Sequence, residues 1–166
     1  MPHSLRAPRP LAAASGSRDT YGFTLVPGTA AETAAYIDHA VNNLKAKRVA
    51  ILYQNDGWGK PAFEIATRQL EKYNLKPVEA QTFERFATDI TSQVFKIKES
   101  NPDVVVLYAL GQEAVLFFRG AEKLGWKPVV FGAGGLNDPK FVELLGKSFG
   151  HLFEYGIEIE SKRDRH

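Results

Sequence analysis

The residues with the clearest chemical spacing are Gly57-Trp58-Gly59-Lys60-Pro61-Ala62. Gly57-x-Gly59-x-x-Ala62 matches a dinucleotide fingerprint, and Glu84 follows at about the distance of a ribose-binding acid. That chemistry needs bare backbone N–H groups close to a pyrophosphate. Trp58 puts the bulkiest side chain inside the motif, and Pro61 removes an N–H from the helical turn that would hold the phosphate. Gly59-Lys60 does not complete a phosphate loop either. Gln54 stands where that motif needs its first glycine, and Pro61 where it needs Ser or Thr.

Other chemistries have less to work with. The histidines are His3, His39, His151 and His166, and no pair has metal-ligand spacing. There is no cysteine, which removes thiolate catalysis, disulfides and cysteine metal sites. No Gly-x-Ser-x-Gly elbow is present. The expectation is a chain that binds rather than catalyses, with no catalytic residue, metal or cofactor.

Three segments that follow apolar runs remain as binding candidates: Gln54–Lys60, Gly111–Glu113 and Gly132–Asn137. Trp58 either offers a stacking face, largely wet on an open rim, or closes its own loop. Gln112 and Glu113 offer an amide and a carboxylate, or form the polar first turn of a helix, where acids are favoured.

These segments are positioned by alternating strands and helices. Val49–Tyr53 is a short apolar run of buried-strand length. Asn55-Asp56-Gly57 is turn chemistry, and Pro61 marks a helix start. Before this, Tyr21–Val26 reads as an entering strand or crossover, and Ala30, Ala34, Ile37, Val41 and Leu44 as a helical stripe. After it, Ala62, Phe63, Ala66, Leu70 and Tyr73 line a helix with Asn74 as its C-cap. Val78–Phe83 is a weaker strand. Asp89 reads as an N-cap, with Ile90, Val94 and Ile97 behind it, and Asn101-Pro102-Asp103 stops that helix. Val104–Leu110 is continuous enough for a central parallel strand. Ala114, Phe117, Phe118, Ala121 and Leu124 line the next helix, closed by Gly125. Val129–Phe131 is a fourth strand, followed by a Gly132–Gly135 loop. A helix capped by Asp138 and Pro139 then buries Phe141, Leu144 and Leu145, and Leu152–Ile159 is a fifth strand. The pattern predicts an α/β, flavodoxin-like, doubly wound parallel sheet of about five strands in the order 2-1-3-4-5.

The chain has 166 residues and a formal net charge of +2. Arg6, Arg9 and Arg18 at one end, and Lys162, Arg163 and Arg165 at the other, carry the positive balance. The 21–159 body is near neutral, a poor nucleic-acid footprint. Residues 1–20 are rich in Arg, Ala, Ser and Pro, and Leu11–Ala14 is too short for a secretory apolar core. The expected division is a disordered or non-native tail over 1–20, a ligand-binding α/β lobe over 21–159 and a basic tail over 160–166.

Several segments together resemble the type I periplasmic solute-binding proteins, specifically the leucine/isoleucine/valine-binding family of ABC transporters. They are Lys47-Arg48-Val49-Ala50-Ile51-Leu52-Tyr53-Gln54-Asn55-Asp56-Gly57-Trp58-Gly59, Thr88-Asp89-Ile90 with Val94-Phe95-Lys96-Ile97-Lys98, Asn101-Pro102-Asp103-Val104-Val105, Ala121-Glu122-Lys123-Leu124-Gly125 and Asp138-Pro139-Lys140-Phe141. The resemblance implies the second of two lobes, with the first lobe missing from this chain. It also implies a small polar solute such as an amino acid or amide in the interlobe cleft, a membrane permease as partner and a periplasmic location. It places Trp58 at the family's aromatic after the lobe's first strand, and Gly111, with Gln112 beside it, at the cleft position after the third. Gly134 falls where amino-acid binders carry an acid. A sensory ligand-binding domain of the same fold is the alternative, followed by a nucleotide-dependent enzyme built on the Gly57/Gly59 loop.

Overall fold

A computed structural model describes residues 28–133, residues 136, 141 and 145, and the backbone of 151–154 and 157–160. The elements in chain order are α1 (Thr29–Asn42), β1 (Val49–Gln54), α2 (Gly59–Glu71), β2 (Glu79–Phe83) and α3 (Thr91–Glu99). Then come β3 (Val104–Tyr108), α4 (Gly111–Lys123), β4 (Val129–Ala133), β5 (His151–Glu154) and β6 (Ile157–Glu160). They build one sheet in the order β2-β1-β3-β4-β5-β6. The first five strands run parallel, and β6 pairs antiparallel with β5. The expected 2-1-3-4-5 order is therefore present, extended by one strand.

The central strands are apolar on both faces because helices cover both. Ala50, Leu52, Val105 and Leu107 face α3 and α4, where Val94, Ile97, Phe117 and Phe118 complete one core. Val49, Ile51, Val104, Val106 and Tyr108 face α1 and α2, against Ile37, Ala40, Ala62, Ala66 and Leu70. Each fully buried Leu, Ile, Val or Phe contributes about 1.5–3 kcal/mol of transfer free energy. β2 reads weakly in sequence because it is the edge strand: of its residues only Phe83 is fully buried.

Caps close the helices where their sequence asks for it. Asn74 takes a positive φ of 56° after α2, with Leu75 N–H donating to Leu70 O at 3.1 Å. Gly125 does the same after α4, with φ 62° and Trp126 N–H on Ala121 O at 2.9 Å. Both satisfy carbonyls that a helix end leaves unpaired. Asp89 lies one residue ahead of the helical cap position, and its Oδ1 accepts from Thr91 N–H at 2.8 Å and from Thr91 Oγ1 at 2.6 Å.

Four expectations change. The α1 stripe is rotated: Glu32, Thr33, Tyr36, Ile37 and Ala40 are buried, whereas Ala30 is exposed and Leu44 lies beyond the helix, 42% exposed. Polar side chains with partners on the sheet, invisible to a count of apolar residues, set that face. α2 begins two residues before Pro61, which falls within the first turn, where its missing N–H costs nothing. Gly132 and Ala133 extend β4, paired with Leu107 and Tyr108, rather than opening a loop. The single strand expected over Leu152–Ile159 is two antiparallel strands, with Glu154 opposite Ile157. Tyr155-Gly156 lies between them in sequence, and a glycine weakens a strand interior.

The expectations for 1–20, for the 21–26 strand, for Asp138 and Leu144, and for 161–166 lie outside the described residues.

Candidate functional site

The strand order reverses between β1 and β3. β1 feeds α2 onto one face of the sheet, and β3 feeds α4 onto the other. The segments that leave these neighbouring strands lead to opposite faces of the sheet, and the carboxyl ends of strands at such a reversal are the usual place for a ligand. Tyr53 pairs with Tyr108, and Tyr108 with Ala133, so the ends of β1, β3 and β4 share one edge.

The loop after β1 is held from within. Asp56 Oδ1 accepts from the N–H groups of Trp58 (2.9 Å) and Gly59 (2.8 Å) at the start of α2. Asp56 Oδ2 accepts from Gln54 Nε2. The Gly59 N–H bond, ahead of the others, holds the Asp56 carboxyl below the ordinary carboxylate value. Asn55 ties the loop sideways to the end of β2: its N–H donates to Phe83 O at 2.8 Å, and its Nδ2 to Glu84 Oε1 at 2.5 Å. Gln54 is buried, and its Oε1 is an orphaned buried acceptor among the described residues. A donor-bearing solute or a bridging water would satisfy such an atom.

This geometry gives the Gly57/Gly59 pattern a structural explanation. A Cβ on Gly59 would lie 2.0 Å from the Gln54 carbonyl oxygen, so Gly59 lets α2 start against the end of β1. The N–H groups of Trp58 and Gly59, which a pyrophosphate would need, already serve a carboxylate. Glu84, the ribose-acid candidate, accepts from Asn55.

Trp58 lies beside the carboxyl end of β3 but is not freely wet. It is half-buried against the α1/α2 core, with its ring edge-on to Tyr108 at 6.1 Å between centroids. The expectation of a largely exposed ring is corrected accordingly: the loop bends Trp58 back over the sheet end. Gly111 and Gln112 open α4 and are exposed, and a Cβ on Gly111 would meet nothing within 4 Å. Glu113, the third residue of that turn, is engaged by the segment that follows β2. It is buried, and its Oε1 accepts from Phe86 N–H at 2.8 Å. Phe86 is thereby fixed at φ 61°, 75% exposed, with the Arg85 guanidinium 4.8 Å from its ring centroid. Gly134 lies outside the described residues.

Sequence reasoning missed the polar layer beneath this edge. Tyr108 is fully buried, and its hydroxyl meets Thr33 Oγ1 at 2.6 Å. Burial pushes that hydroxyl well above the ordinary tyrosine value. Tyr36 Oη lies 2.6 Å from both Glu32 Oε1 and Gly132 O. The available signal was the tyrosine ending an otherwise aliphatic strand, since a buried tyrosine hydroxyl needs a partner. Among the described residues no cluster of metal-ligating side chains occurs, and no helix is long and apolar enough to cross a membrane.

Comparison with known proteins agrees with this architecture. The family model described as "Periplasmic binding protein" matches residues 7–153. An "Amino acid binding protein" of Pseudomonas aeruginosa is 35% identical over 88 residues, which is 53% of this chain and 24% of that one. "Leu/Ile/Val-binding protein homolog 7" of Brucella abortus is 28% identical over 92 residues, 55% of this chain and 23% of that one. Among solved structures, an extracellular ligand-binding receptor of Rhodopseudomonas palustris HaA2 superposes with a TM-score of 0.70 at 23% identity, over 76% of this chain and 35% of that one. The leucine binding protein LivK of Thermotoga maritima gives 0.66 at 19% identity, over 76% and 36%. The chain thus spans about a quarter of these curated relatives and about a third of these structures. With a fold that matches one lobe of such proteins and a family model covering most of its length, the chain belongs to the type I periplasmic binding proteins, in their leucine/isoleucine/valine-binding family.

Proposed function

We propose that this chain is a solute-binding lobe whose β1/β3/β4 edge contacts a small polar solute, such as an amino acid or amide. The observation that carries the reading is the reversal of strand order between β1 and β3, which brings the carboxyl ends of β1, β3 and β4 to one edge. The half-buried Trp58 follows β1 and the exposed start of α4 follows β3 at this edge. Trp58 supplies apolar surface, and the backbone at Gly111, Gln112 and Gly134 supplies hydrogen bonds. A second lobe, of the kind the longer relatives have room for, closes over the solute. The closed form then delivers it to the membrane permease of an ABC transporter, in the periplasm. The names of the relatives, amino-acid and Leu/Ile/Val binding proteins, support an amino-acid-like solute.

The test uses the chain with Trp126→Phe, which leaves Trp58 as the single tryptophan. Its emission should start partly shielded and incompletely quenched by iodide. Titration with a panel of amino acids and their amides should give a saturable change and further protection from iodide for at least one of them. If no panel member changes emission or quenching, the reading is wrong.

A further inference from the structure

Beneath the proposed rim, three oxygens stand in a row: Glu32 Oε1, Tyr36 Oη and Gly132 O, with 2.6 Å across each gap. Tyr36 has one hydroxyl proton, and a main-chain carbonyl has none to give. One proton cannot lie in both gaps. If Glu32 were ionised, one of the two contacts would set lone pairs against each other at hydrogen-bond distance. The arrangement closes only when Glu32 carries a proton, donates it to Tyr36 Oη, and Tyr36 in turn donates to Gly132 O.

We infer that Glu32 is held as a neutral acid and acts as a proton-operated latch, tying the first turn of α1 through Tyr36 to the end of β4. When the proton leaves to solvent, Tyr36 turns its own proton to the new carboxylate, and Gly132 O loses the tyrosine as a donor. Gly132 is the penultimate residue of β4, so the latch ties α1 to the carboxyl end of that strand.

The surroundings agree. Glu32 is 8% exposed, and its burial raises the carboxyl above its ordinary value, outweighing the hydrogen bond from Tyr36. A first-turn acid is normally favoured as an anion by the helix dipole, so burial has to overcome that preference too. Among the described residues, the titratable group shown acting on Glu32 is Tyr36 on its own helix, and Glu32 in turn raises the hydroxyl of Tyr108 on β3. β4 presents the Gly132 carbonyl, and His39, farther along α1, packs edge-on to Phe131. Because the folded value is raised, the folded state binds a proton that the unfolded chain has already lost. The stabilisation is complete below about pH 4.5 and disappears as pH rises through the folded value.

The experiment is a pH titration of the 13C-labelled 166-residue chain, following the Glu32 side-chain carboxyl and the Gly132 carbonyl carbons by NMR. Both should move with one shared midpoint above 4.5, and Glu32→Gln should leave the Gly132 signal flat. The folding equilibrium constant of the wild type should fall relative to Glu32→Gln by about tenfold for each unit by which the carboxyl is raised. A Glu32 carboxyl that titrates at or below 4.5, or a Gly132 signal that ignores it, overturns the latch. The co-titration can be read in the wild type alone, should the variant fail to fold. It holds or fails independently of whether a solute binds the rim.

Discussion

Gly59→Ala should be among the most damaging single substitutions in this chain, although it adds one methyl group. The added carbon would lie 2.0 Å from the Gln54 carbonyl oxygen and 2.9 Å from its carbonyl carbon. Both are backbone atoms of a central strand, so no side chain can rotate away. Either β1 or the first turn of α2 must shift, and the shift would pull the Asp56 carboxylate off the Trp58 and Gly59 N–H groups. The expected cost is about 3 kcal/mol, at the upper end for overpacking. Gly57→Ala is the control, because a Cβ there meets nothing within 4 Å. Urea unfolding monitored by circular dichroism compares the two. Equal midpoints would show that Gly59 is not a packing glycine.

The second large effect is at Tyr108. Tyr108→Ala removes a buried ring from the core shared with α1 and α2 and should cost about 3–5 kcal/mol. Tyr108→Phe keeps the ring and strands Thr33 Oγ1, which is itself fully buried, at a cost of about 1–3 kcal/mol. Thr33→Val alone should cost a similar amount by stranding the tyrosine hydroxyl. The double variant, with neither polar atom, should regain much of the loss, because an apolar pair of similar shape leaves nothing unsatisfied. Chemical denaturation of the four proteins closes the cycle. Additive losses would mean that the hydroxyl and Thr33 do not depend on one another.

Most of the fold was legible because its signals are local. The continuous run Val104–Tyr108 and the stripe Ala114, Phe117, Phe118, Ala121 follow from a sheet covered on both faces, and they stand where expected. Asn74 and Gly125 were readable as caps because a positive φ selects those residue types. The face of α1 was not legible. Thr33 and Tyr36 are buried with bonds to Tyr108 and Gly132, which lie 75 and 96 residues away in the chain, and Glu32 joins them through Tyr36. No window along the sequence contains both partners. The end of β4 was misjudged for a related reason: Gly132 and Ala133 have poor strand preference, yet pairing with Leu107 and Tyr108 extends the strand through them. At the candidate site, the Gly57/Gly59 spacing was visible, but its cause was not. Close approach to Gln54 and close approach to a phosphate ask for the same residue.

The central claim is that the β1/β3/β4 edge of the sheet is where solute binds. It is tested most directly by mapping backbone amide chemical shifts of the 15N-labelled chain during titration with leucine, isoleucine, valine and their amides. The account predicts that shifts concentrate on Asn55–Gly59, Leu110–Gln112 and Gly132–Ala133. It also predicts no shifts at the opposite edge, where Asp103 Oδ2 holds the N–H groups of Lys47 and Arg48. Shifts centred on Lys47, Arg48 and Asp103, or a spectrum unmoved by every solute, would contradict it.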